Sequence, residues 1–264
     1  MRRRWIAIAL AALTATPLWA ASGRRPAPPE SVKRAPAEYT RFSTAELTRG
    51  FLALAFGSDL RIGARPKGIR RFDREIRAHV IAGGSVDRTA AMERILAEYG
   101  RKIPNLRLII GGSEAAAAAD LVVRLIDEKD FASALEADFG RATAQAFVTK
   151  TDAQCMTSVK SRADGEIVRA VSFIIVDKGE NVFLDCAYHE LLHAFGLSSH
   201  DQSNPWTTLN QKRMVGYLTV YDRALLTLLY DPRLRPGMTR YQVRTILPRL
   251  INGLRLAPGP DSGG

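Results

Sequence analysis

Three of the chain's four histidines fall within twelve residues, in the stretch Cys186–Asp201, C-A-Y-H-E-L-L-H-A-F-G-L-S-S-H-D. His189 and His193 are four apart with Glu190 between them. On a helix, side chains at i and i+4 lie on one face, so two imidazoles at this spacing can close on one tetrahedral metal ion. Glu190 is then beside the ion's open position, within reach of a water. A chain turned sharply at Gly196 brings His200 back as a third ligand; Asp201, next to it, is the other candidate. Held this way, Zn2+ activates water toward a peptide carbonyl. Glu190 takes the proton as general base and passes it to the leaving amine.

The helix carrying these residues has its own signals. Leu184, Tyr188, Leu191 and Phe195 recur at helical spacing as a buried stripe, Asn181 is a candidate N-cap, and Gly196 is the stop. With those residues in place, H189-E-L-L-H193-A-F-G196-L-S-S-H200 resembles the metzincin pattern H-E-x-x-H-x-x-G-x-x-H, in its matrixin-like version, with one extra residue before the last histidine. The resemblance implies an α+β zinc-protease fold: a small mixed sheet with a backing helix and an active-site helix, then a mostly helical C-terminal part. It implies Zn2+ on His189, His193 and His200, and a strand before the active-site helix, here Ile167–Asp177, that forms the sheet's edge and pairs with extended peptide. It also implies a methionine under the metal and often a tyrosine just after. Trp206-Thr207-Thr208-Leu209 contains neither, which leaves Met214 and Tyr217 as the candidates, Tyr217 as a contact for substrate. Leu218-Thr219 through Asp222, followed by Leu229-Tyr230, resembles the last matrixin helix. A thermolysin-like third ligand is excluded, since no glutamate follows Glu190. The segment Cys186–Leu250, including L-Y-D-P-R-L-R-P-G-M, also resembles a family of exported bacterial domains of unassigned function. Many of its members have a degenerate E-E-x-x-Q-type site at this place.

Around the motif, the other elements are legible in outline. Ser43 and Glu46 form a capping box opening a helix that runs to Phe56 and stops at Gly57. Ile69–Ala82 alternates as a strand, Val86–Arg101 has helical spacing, and Leu106–Ile110 and Leu121–Ile126 are β-rich runs. Asp127–Thr151 reads as a short helix followed by a strand over Ala146–Thr149. Thr219 and Asp222 make a second capping box before Leu225, Leu226 and Leu229, and Thr239–Ile251 closes the chain as a helix. His79 stands alone on its strand and is expected to be an ordinary surface or core residue.

The 264 residues fit one mid-sized domain, 43–255, with trimmings. Met1–Ala20 has the charged start, short apolar run and small-residue end of a secretory signal peptide. Residues 21–42 form a Pro/Arg-rich linker, and 256–264 a loose tail. Export to a bacterial periplasm or beyond is expected, with no transmembrane segment. Cys155 and Cys186 are then read as one disulfide, the rival being Cys186 as a metal ligand. The formal charge is +11, three of it from the leader's arginines, and the rest is scattered without aromatic interleaving. Nucleic-acid binding is therefore not expected. The expected partner is a peptide or protein in the cell envelope. Two other readings stay open: a binding module that keeps the fold without catalysis, and a zinc amidase acting on cell-wall peptides. Oligomeric state is not legible.

Overall fold

Two central strands, buried on both faces for much of their length, build the molecule around a single sheet. The computed structural model describes residues 42–57, 66–111, 116–150 and 154–254; the expected leader, nearly all of the linker and the tail lie outside them. The strands are β1 (Ile76–Ala82), β2 (Leu108–Ile110), β3 (Leu121–Ile126), β4 (Cys155–Ser161) and β5 (Ile167–Ile175). They lie in the order β2-β1-β3-β5-β4, parallel except for β4, which runs antiparallel to β5. Leu121, Val123 and Leu125 of β3 and Ile174 of β5 enter the main core, while Ile126, Phe173 and Ile175 enter a second, smaller one on the opposite face. That is the period-two pleat at work. The fold is mixed α/β.

Helices α1 (Thr44–Phe56), α2 (Thr89–Lys102), α5 (Glu180–Ala194), α6 (Val220–Leu229) and α7 (Arg240–Asn252) contribute to the main core. Helix α3 (Glu128–Phe139) covers the second core through Phe131 and Leu135, and α4 (Arg141–Lys150) packs on α3. Ser43 and Glu46 close the expected capping box on α1, and Thr239 with Gln242 does the same for α7. Arg240 then ties α7 to α1 by donating to the Leu52 carbonyl at 2.8 Å. Among the described residues no helix is long and apolar enough to cross a membrane.

Four expectations change. The strand expected over Ile69–Ala82 begins only at Ile76, because Arg71 turns inward and its guanidinium donates to the carbonyls of Leu229 and Asp231. Ala146–Thr149 belongs to α4 and not to a strand: Gly140 (φ +79°) breaks the helical run, and a second helix restarts against α3. Helix α5 starts at Glu180, with Gly179 (φ +91°) rather than Asn181 at the cap. The strand before α5 is not the edge. β5 is paired on both sides and β4 holds the edge, in keeping with a β5 run from Phe173 to Ile175 that is buried throughout.

Candidate metal centre

Helix α5 buries nine of its fifteen residues. Cys186, Ala187, Tyr188, Leu191 and Leu192 are sealed in the core. His189 and His193, one turn apart, are half-buried on a different side of the helix. Cys186 is bonded to Cys155 at the start of β4, as expected, which fastens α5 to the edge strand and removes Cys186 as a ligand.

The turn after α5 then decides the third histidine. Gly196 has φ +119°, and a Cβ built there would lie 2.1 Å from the Arg70 carbonyl oxygen, so only glycine fits. Beyond it, the Ser198 amide donates to the Leu54 carbonyl at 2.7 Å and its hydroxyl to the Gly57 carbonyl at 2.9 Å, hanging the loop on the end of α1. The extra residue is absorbed in this loop. His200 arrives with its Nε2 3.0 Å from that of His189 and 3.2 Å from that of His193, whose own Nε2 atoms are 3.1 Å apart. A tetrahedral ion with bonds of about 2.0–2.1 Å to nitrogen has edges of about 3.3–3.4 Å. The three nitrogens match one face of such a tetrahedron.

The opposite ring nitrogens fix which form these imidazoles take. His189 Nδ1 lies 2.9 Å from the Thr208 carbonyl oxygen and His193 Nδ1 2.6 Å from that of Leu197. A carbonyl only accepts, so each Nδ1 carries a proton, and each ring turns its Nε2 toward the other histidines. Burial, with the nearby His193 adding, pushes the His200 ring down to about 3, so that ring is neutral at pH 7. With all three Nε2 atoms deprotonated, lone pairs at about 3 Å would repel one another, and a cation between them would remove the repulsion.

Glu190 is 4% exposed, and its Oε2 is buried without a hydrogen-bond partner. Burial raises its carboxyl to about 8, opposed by the Thr157 hydroxyl and assisted by the charge of Asp185. A divalent ion nearby draws such a carboxyl back toward its charged form. Thr157, on β4, also donates to the Glu190 backbone carbonyl at 3.1 Å, so the edge strand and the site helix meet at this residue.

Of the other sequence candidates, Asp201 is not brought to the metal face. Its Oδ1 accepts from the Ser203 amide and hydroxyl, capping the next turn. His79, on β1, lies outside the group whose donor atoms converge. Met214 and Tyr217 are partly buried against the main core. The residue after Met214, Val215, donates its amide to Asp185 at 2.6 Å, one turn before His189. Sequence reasoning missed Thr207, Thr208 and Asp222. The expected capping box is only half formed: the Thr219 hydroxyl accepts from the Asp222 amide, but the Asp222 carboxylate turns away to the two threonines. The signal that could have found them is the pair of adjacent threonines standing where a methionine turn was sought.

Fold and site together define an α/β protein with a three-histidine centre able to hold a metal ion. Over residues 44–249 the chain matches the DUF2927 family, described as a protein of unknown function, and it belongs to that family. No curated protein matches it.

Proposed function

We propose that this protein is an exported zinc-dependent peptidase of metzincin-like type. The observation that carries the reading is the convergence of three imidazole Nε2 atoms at 3.0–3.2 Å, two of them on the helix that also carries the buried Glu190. Three imidazoles on one face of a tetrahedron suit zinc, and the ion would supply Lewis acidity toward a carbonyl and toward water at the fourth position. His189, His193 and His200 hold it. Glu190, buried and with one oxygen free, accepts a proton from the attacking water and returns it to the leaving amine. The open edge of β4, which carries Thr157 beside Glu190, is where an extended peptide would add as a strand. The Cys155–Cys186 disulfide supports an oxidising, extracytoplasmic setting. Met214 as the methionine under the metal and Tyr217 as a substrate contact belong to this proposal on the family resemblance alone.

Elemental analysis of the purified protein tests this. About one zinc per chain, sharply weakened in His200→Ala, is expected. Protein that stays metal-free when zinc is offered would overturn the reading and favour a binding module. Zinc uptake with release of muropeptide fragments from sacculi, but no cleavage of peptide libraries, would favour a cell-wall amidase instead.

A further inference from the structure

We infer that Asp222 is a positioning residue for the metal centre, acting on His189 and His200 through the turn at Thr207–Leu209; this rests on the metal-binding reading above. Asp222 is completely buried, on the first turn of α6. Its Oδ1 accepts from the Thr207 hydroxyl at 2.5 Å, and its Oδ2 from the Thr208 amide and hydroxyl, both at 2.8 Å. Three donors converging on one side chain suit a carboxylate, which accepts at both oxygens, whereas an asparagine amide would put N–H donors in place of one acceptor.

The turn gripped in this way serves the site twice. The Thr208 carbonyl receives the Nδ1 proton of His189 at 2.9 Å, which fixes that ring's tautomer and points Nε2 inward. One residue on, the Leu209 carbonyl accepts from the Asp201 amide at 3.1 Å, holding the backbone directly after His200. The Leu209 amide itself donates to the Thr207 hydroxyl at 3.1 Å, so the three residues form one unit. A single buried carboxylate thereby holds both the carbonyl that orients the His189 ring and the backbone directly after His200, without touching either imidazole.

The test compares wild type with Asp222→Asn in two readouts. The first is zinc affinity, measured by competition against a chelating dye. The second is the tautomer of His189 in metal-free protein, read by 15N chemical shifts of the ring. Wild type is expected to show His189 protonated at Nδ1. The variant is expected to show a mixture of tautomers and zinc binding weakened about 10–100-fold. A structural role alone would lower stability and leave the tautomer as it was. Should Asp222→Asn fail to fold, the pair Thr207→Val/Thr208→Val removes two of the three donors and carries the same two readouts, with a smaller expected loss. A variant that folds, keeps the wild-type tautomer and binds zinc within about twofold of wild type overturns the inference. Wild-type protein that binds no zinc overturns the metal reading instead. The tautomer comparison, made without metal, still decides the role of Asp222.

Discussion

Gly196 and Glu190 are the residues at which a single atom decides the site. At Gly196 a methyl group would meet the Arg70 carbonyl at 2.1 Å in a backbone conformation that L-residues avoid. Gly196→Ala should therefore destabilise the metal-free fold by about 1–3 kcal/mol and displace His200, so that zinc affinity falls as well. Urea unfolding and a zinc titration read the two effects separately; an unchanged titration would detach the turn from the site. Glu190→Gln keeps the volume and removes the proton acceptor. It should leave zinc content unchanged and lower peptide turnover by at least about a hundredfold, and a variant that cleaves as fast as wild type would remove Glu190 from the chemistry. The Glu190 motif was readable from spacing alone. The role of Asp222 was not, because the sequence pattern T-x-x-D describes a capping box equally well, and only the arrival of Thr207 and Thr208 makes a better use of the carboxylate.

Helix α5 and strand β4 form the working element, and the bond between Cys155 and Cys186 joins them across 31 residues of chain. Closing a loop of that length stabilises by about 2–4 kcal/mol. The double variant Cys155→Ala/Cys186→Ala should lower the denaturation midpoint accordingly. Because the bond sits three residues before His189, the same variant should also weaken zinc binding. Melting curves with and without zinc measure both, and a variant whose zinc affinity is untouched would make the disulfide a stabiliser only. The sequence marked both cysteines and the strand before the helix, Ile167–Asp177, but not β4. The edge was expected at β5 on the family resemblance alone, and β4 takes it, because strand order is set by pairing between segments far apart in the chain. The strand expected at Ala146–Thr149 failed for a related reason: its local preference was overridden by packing of α4 on α3.

At the scale of the whole molecule, α1, α5, α6 and the loop after α5 meet around the metal face, so binding and folding are linked. Ser198 hangs the His200 loop on α1, and Asp222 hangs the Thr207–Leu209 turn on α6. A ligand that binds only this assembled arrangement stabilises it by about 2.7 kcal/mol at a hundredfold excess over its dissociation constant. Chelation should lower the melting temperature of zinc-loaded protein, and zinc should restore it. In the His189→Ala variant neither addition should shift the melt. A chelator that leaves the wild-type melt unmoved would mean that the three imidazoles converge without holding an ion.

What the sequence determined by itself is the inventory of chemistry: two imidazoles and a carboxylate on one helix, a glycine after it, a third histidine beyond, and a pair of cysteines. Those follow from the fixed 3.6-residue period and from covalent possibility, which are local. Only the tertiary structure decided that His200 rather than Asp201 completes the cluster, that β4 and not β5 is the edge, and that Asp222 faces the turn beneath His189. Each of these depends on contacts between segments far apart in the chain, where register and loop path are set by packing and by the need of every buried donor and acceptor for a partner.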